Sequence, residues 1–192
     1  MGYLKYVRQL WKKPKQNMPE LWRERLVKWR REPVTVRIDH PTRVDRARSL
    51  GYRAKPGIFV VRQRLIRGGR QREQFKSGRR PKHMRRMKIV GKNYQQVAEE
   101  RVQRKFGNCE VLNSYWVAQD GNYYWYEVIM VDKDHPQIIK DKTLGWMTKP
   151  AHRGRVFRGK TSSGRKTRGL RNKGKGAEKI RPGQRANARR AK

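Results

Sequence analysis

Few residues in this 192-residue chain have the chemistry for catalysis. Glu99 and Glu100 are an adjacent carboxylate pair, Asp132, Asp134 and His135 follow an apolar run, and Cys109 is the one thiol. Acid–base catalysis needs groups that converge on one point with matched pKa values. Neighbours on a helix diverge, so Glu99 and Glu100 read as structural partners for nearby basic residues such as Arg104. Asp132-Lys-Asp-His-Pro136 reads as a turn and helix cap. Cys109, between a helix stop and an apolar strand, reads as a small core residue. His40, His83, His135 and His152 are too scattered to form a metal box with it. No catalytic residue, metal ligand or cofactor is therefore expected, and no enzyme activity.

Phosphate chemistry is the other possibility. Gly159-Lys-Thr-Ser-Ser-Gly164 begins like a phosphate-binding loop, but Arg165 stands where that loop requires Lys followed by Ser or Thr. Gly174-Lys-Gly176 lacks the third glycine of a dinucleotide loop, because position 179 is Lys. A small-molecule nucleotide is thus not the expected ligand. Glycines at 154, 159, 164, 169 and 174, usually beside Arg or Lys, suit a looser role. Glycine lets the main chain approach a sugar-phosphate backbone while neighbouring cations neutralise it.

Positive charge dominates the composition, with 52 Lys and Arg against 15 Asp and Glu, a net +37. Such a surface must meet a polyanion or repel itself, and nucleic acid is the obvious polyanion. Residues 62 to 92 hold 13 basic residues against Glu73 alone, and residues 151 to 192 hold 16 against Glu178 alone. Neither stretch has enough apolar surface to offset the entropy of ordering, so both are expected to order only on an anion. One cysteine excludes an internal disulfide framework and favours cytosol or nucleus over secretion. The longest strongly apolar runs, Ile58 to Val61 and Val128 to Val131, have four residues, far short of the ~20 that span a bilayer. No membrane partner is expected.

The elements that would position these groups read as α+β. Leu4, Val7, Leu10 and Trp11, then Leu21, Trp22, Leu26 and Trp29 after Pro19, recur at helical spacing, and Glu32-Pro33 stops the second helix. Val34 to Ile38 is a short strand, and Thr42 to Asp45 has capping-box chemistry for a helix closed by Gly51. Residues 58 to 66 alternate as a strand with one face in the core and one wet. Asn93 caps a helix over 94 to 106, with Gln96 three residues on and Gly107 at the stop. Val111 to Ala118 and Tyr123 to Val131 flank Asp120-Gly121, a favoured hairpin dipeptide, which places Trp116 opposite Trp125. The hairpin aromatics Tyr115, Trp116, Tyr123, Tyr124, Trp125 and Tyr126 suit either base stacking or a core.

Several long motifs, in order, resemble one family. Pro41 to Lys55 (PTRVDRARSLGYRAK), Val97 to Arg101 (VAEER), Val111 to Gly121 (VLNSYWVAQDG), Tyr126 to Pro136 (YEVIMVDKDHP) and Phe157 to Lys179 (FRGKTSSGRKTRGLRNKGKGAEK) are similar to the archaeal form of the ribosomal protein fifteen-e family of the large subunit. That family is distinct from bacterial ribosomal protein fifteen. Arg46 and Arg53 stand where it usually has Lys, and Pro56 where Gln is common. The resemblance implies a structural component of the cytoplasmic ribosome that binds large-subunit ribosomal RNA beside other large-subunit proteins. It also implies a small mixed or antiparallel sheet of order β-α-β-α-β-β carrying long basic irregular extensions, the order the elements above already have.

The expected organisation is a helical N-terminal extension (1–33), an α+β core (34–133) with a basic loop at 66–92, and a basic C-terminal extension (134–192) that threads ribosomal RNA. The candidate RNA-binding residues are Arg43, Arg46, Arg48, Arg53 and Lys55 around one helix. Arg70, Arg72, Lys76, Arg79, Arg80, Lys82, Arg85 and Arg86 follow in the loop. In the tail they are Arg158, Lys160, Arg165, Lys166, Arg168, Arg171, Lys173 and Lys175. The rival reading is a DNA-compacting basic chromatin protein, since phosphate contacts do not distinguish duplex DNA from RNA.

Overall fold

The computed structural model describes residues 2–74, 77–78, 87–88, 90–172, 174, 180 and 188. Three helices open the chain: α1 (Leu4–Leu10), α2 (Pro14–Asn17) and α3 (Pro19–Arg31). α3 starts with Pro19 at its first position and Glu20 in its first turn, and ends with Lys28, Arg30 and Arg31, all matched to the helix dipole. Trp22 and Trp29, seven positions apart, share one face and are buried. Trp22 packs between Trp11, at 6.3 Å, and Trp116, at 6.0 Å, while Trp29 meets Trp125 at 6.2 Å. The N-terminal helices are thus nailed to the sheet by tryptophan.

The sheet follows: β1 (Thr35–Ile38), α4 (Val44–Ser49), β2 (Ile58–Ile66), a small ribbon of β3 (Arg70–Gln71) and β4 (Met87–Lys88), α5 (Tyr94–Lys105), β5 (Cys109–Gln119) and β6 (Tyr123–Asp132). The four long strands lie in the order β1-β2-β6-β5, antiparallel throughout, so the fold is α+β as expected. Then come α6 (Pro136–Ile139), two short 3₁₀ turns (Gly145–Thr148 and Pro150–His152) and α7 (Ser162–Thr167).

Strand alternation splits the core in two. Ile58, Val60, Tyr115, Val117, Trp125, Ile129 and Val131 face the N-terminal helices, α4 and α6. On the other face Val61, Leu65, Cys109, Val111, Val128 and Met130 pack on Ala98 and Val102 of α5 and on Val156. β2 is therefore covered on both faces, and the expectation of a wet side fails. Its polar positions are buried too: Gln63 accepts from Thr35 Oγ1, and Arg62 pairs with Glu32 at 2.5 Å while lying over Trp29.

Three local expectations are corrected. The turn pairs Gln119 with Tyr124 and so sets Trp125 opposite Ala118, while β5 bulges between Trp116 and Ala118, which sets Trp116 opposite Tyr126, and again between Val111 and Asn113. Each bulge adds a residue to one strand and shifts the pairing beyond it. At the hairpin tip Asp120 Oδ1 accepts from the Asn122 and Tyr123 amides, so the turn spans Asp120 to Asn122. α4 has Arg43 at its N-cap and no side-chain cap, because the Thr42 amide instead donates to the buried Glu127 carboxylate at 3.1 Å.

The described parts of the two basic stretches contribute regular elements to the fold. Residues 62 to 66 complete β2. Val156, Thr161 and Ser163 are buried, and the Thr161 hydroxyl caps α7 by accepting from the Gly164 amide. The five-residue glycine spacing serves this packing. A Cβ on Gly164 would lie 2.6 Å from Gly159 Cα, and Gly159 itself sits at φ +61°, so glycine is needed on both sides of the contact. His135 caps α6 and Asp132 accepts from the Asp134 amide, as the turn-and-cap reading requires.

Candidate nucleic-acid interface

Burial sorts charge by sign. Among the described residues Asp45, Glu99, Glu100, Glu110 and Glu127 are buried, but Arg62 alone of the basic residues is. Buried carboxylates must be hydrogen-bonded or protonated. Glu127 accepts from Tyr115 Oη at 2.5 Å and from the Thr42 amide, and burial still pushes its carboxyl upward from the ordinary value. The same burial, with the Glu127 charge beside it, drives the Tyr115 phenol far up. Glu110 accepts from the Gly154 amide at 2.7 Å.

Glu99 and Glu100 do diverge, but neither uses Arg104, whose guanidinium lies over the Phe157 ring. Glu99 accepts from three hydroxyls, those of Ser114, Thr161 and Ser163, on β5 and the C-terminal segment. Glu100 takes both Lys92 Nζ, at 2.9 Å, and Gln96 Nε2, at 3.0 Å. The partners of Glu99 come from residues remote in sequence, which spacing along one helix does not reveal, whereas Gln96 reaches Glu100 from one turn back on the same helix. Among the described residues no cluster of His, Cys, Asp and Glu is placed to hold a metal ion.

The candidate cations divide into engaged and free. Arg43 pairs with Asp45 at 3.5 Å, donates to the Trp116 carbonyl and lies 4.9 Å from the Trp11 ring. Lys55 pairs with Asp141. Both are thereby held in the protein's own framework. Arg46 and Arg48, on the exposed side of α4, have no side-chain partner among the described residues, and Arg53 donates to the Arg48 and Tyr52 carbonyls. Together they form an exposed arginine patch beside α4.

The tail cations form a second patch. Arg158 donates to the Ala151 and Arg153 carbonyls, Arg168 to the Gly159 carbonyl and Arg171 to Ser162 Oγ, bracing a loop on which Lys160, Arg165 and Lys166 are exposed. His152 belongs to this patch and was not among the candidates. Its imidazole is pushed below the ordinary range, first by desolvation and then by the cations Arg155, Lys160, Arg158 and Lys149. Arg155 stacks at 4.5 Å on Trp146, whose ring also meets His152 at 4.9 Å. The density of basic residues around Trp146 was the available signal. In the loop, Arg70 is exposed and Arg72 half-buried. Lys76, Arg79, Arg80, Lys82, Arg85, Arg86, Lys173 and Lys175 lie outside the described residues.

The hairpin aromatics belong chiefly to the core. Tyr115 and Trp125 are buried, and Tyr124 stacks on Tyr94 of α5 at 4.8 Å and on Tyr126 at 6.2 Å.

A two-faced antiparallel core that buries Asp45, Glu99, Glu100, Glu110 and Glu127 while, among the described residues, all the basic side chains but Arg62 stay at least partly exposed defines an α+β protein with a cationic surface. The chain belongs to the ribosomal L15 family in its L15e form, whose family model matches residues 2–187. It is 54% identical over 187 residues to the large ribosomal subunit protein eL15 of Nanoarchaeum equitans, covering 97% of this chain and 98% of that one. Against the eL15 proteins of Methanospirillum hungatei and Methanocella arvoryzae identity is 56% over 190 residues and 53% over 189, each covering 97% of this chain and 96% of the relative.

Proposed function

We infer that this protein is a structural constituent of the large ribosomal subunit in the cytoplasm, where it binds and stabilises folded large-subunit ribosomal RNA by neutralising phosphates. The sorting of charge by depth carries the reading: internal carboxylates satisfy internal donors, which leaves nearly all the cations for an external polyanion. The name shared by the relatives supports the subunit. In this reading the core docks through Arg46, Arg48 and Arg53. The basic loop at 66–92 and the extension at 134–192 enter between RNA helices that would otherwise repel, and neighbouring large-subunit proteins share the site.

Phosphate contacts set position and affinity, whereas any sequence preference requires base contacts. Sedimentation of a lysate through a high-salt cushion, with detection of this chain in separated subunits, tests the proposal. Retention on large subunits is the expected result. Recovery with chromatin or as free protein overturns it and favours a DNA-compacting role.

A further inference from the structure

A cleft of about 720 Å³ opens between the end of β2 and the first turns of α5. Its volume is within the range of roughly 300–1,000 Å³ usual for ligand sites. The walls are apolar: Ile66, Val90, Tyr94 and Val97. Ile66 is 73% exposed and Val90 59%, so this surface is left to water in the isolated chain. The Tyr94 hydroxyl is already committed, accepting from the Gly68 amide at 2.8 Å and donating to the Gly68 carbonyl. Its ring therefore enters the wall as a fixed aromatic surface, backed by Tyr124 and by Arg67, whose guanidinium lies 4.7 Å from the Tyr124 ring.

The charged part of the lining is cationic: Arg67, Arg70, Lys92 and Arg101 contribute, and no described carboxylate does. Lys92 is neutralised by Glu100, but the side chains of Arg70 and Arg101 have no ion-pair or hydrogen-bond partner among the described residues. Gly68, at φ +90° with nothing within 4 Å of a notional Cβ, makes the turn at the mouth without adding a side chain. An occupant must then be apolar in body and anionic at its edge.

We propose that the cleft between β2 and α5 holds an unstacked nucleotide of the bound RNA, its base against Ile66, Val90 and Val97 and its phosphate toward Arg70 and Arg101. The assignment rests on the RNA-binding function inferred above and adds a base contact to it. An acidic peptide fits less well, because its backbone amides need partners that a wall of apolar side chains does not offer. A base presents two apolar faces to the wall, turns its polar edge to the open side, and carries its anion outside the ring.

The test is ultraviolet cross-linking of the full-length chain to large-subunit ribosomal RNA, with mass-spectrometric mapping of the peptide–nucleotide adducts. The expected result is an adduct on the peptide containing Tyr94. The double variant Ile66→Glu, Val90→Glu, at exposed positions, abolishes that adduct and weakens RNA binding about tenfold, because two carboxylates replace the apolar wall and repel the nucleotide's phosphate. Arg101→Gln reduces the adduct with an unchanged melting temperature. Adducts confined to the tail and α4 overturn the nucleotide pocket and leave the function intact, whereas absence of RNA binding overturns the function itself. A protein cross-linked into this cleft within intact subunits makes the occupant a peptide and also overturns the proposal.

Discussion

The Glu99 carboxylate in α5 accepts a hydrogen bond at 2.7 Å from Thr161 Oγ1, 62 positions further along the chain. Ser163 Oγ donates to the same oxygen at 2.6 Å. One buried acid thus fastens the C-terminal segment to the core.

Glu99→Ala strands three buried hydroxyls and should cost about 2–4 kcal/mol, with amide exchange rising first around 161–167. Glu99→Gln keeps an acceptor and costs less. Burial, the leading cause, raises the Glu99 pKa above its ordinary 4.5. The folded state then holds a proton that the unfolded chain has released, so the acid's contribution is complete below that ordinary value and is lost as pH rises through the folded value. The stability of the native chain relative to Glu99→Gln should therefore fall as pH climbs above 4.5. A difference independent of pH in denaturant titrations counts against a shifted Glu99.

Arg43 and its neighbours Arg46 and Arg48 should separate in their effects. Arg43→Gln leaves Asp45 buried without its cation and is expected to cost about 3 kcal/mol of stability. Arg46→Gln with Arg48→Gln should change stability by less than about 0.5 kcal/mol each. That pair should instead lower the slope of log affinity against log salt by about 2, at close to 0.9 per phosphate contact on a duplex. Ten such contacts in the native chain correspond to a loss of roughly 10⁵ in affinity between 50 and 200 mM salt. Filter binding across salt concentrations, beside melting curves, reads both quantities.

Trp29 should be the main anchor of the N-terminal helices. Its ring is buried between Trp125 and the Arg62 guanidinium, so Trp29→Ala is expected to cost about 3–5 kcal/mol. Leu21→Ala, at a 40% exposed position of the same helix, should be nearly neutral. Equal losses in urea unfolding would mean that α3 does not dock by this face.

Cys109 should be silent toward thiol reagents in the folded state. It is 2% exposed, and burial, aided by the Asp132 charge, pushes its thiol up to about 11. At pH 8 only about a thousandth is then thiolate, and that fraction is shielded. One thiol per chain should become reactive only with denaturant. Stoichiometric labelling of the native protein within minutes would contradict the packing of β5 on α5.

Much of the architecture is legible in local pattern. The tryptophan spacing in α3, Pro19 at its start, Asn93 capping α5 and accepting from the Gln96 amide, and the alternation in β2, β5 and β6 all depend on neighbours within a few positions. The opposition of Trp116 and Trp125 failed because the turn lies one residue later than Asp120-Gly121, which pairs Gln119 with Tyr124 and Ala118 with Trp125, and because a bulge beyond it sets Trp116 opposite Tyr126. The Thr42 capping box failed because a buried acid 85 positions away competes for the same amide.

Composition and motif order by themselves determined that this is a cationic α+β protein of the ribosomal L15e family, because charge count and local periodicity are properties of the chain at any distance. Only the tertiary structure decided which cations are free. Whether an arginine faces outward or is held inward, as Arg46 in α4 and Arg43 at its N-cap differ, depends on what packing brings from elsewhere in the chain, here the Trp116 carbonyl and the Trp11 ring that hold Arg43 against buried Asp45, and desolvation makes that difference energetically decisive.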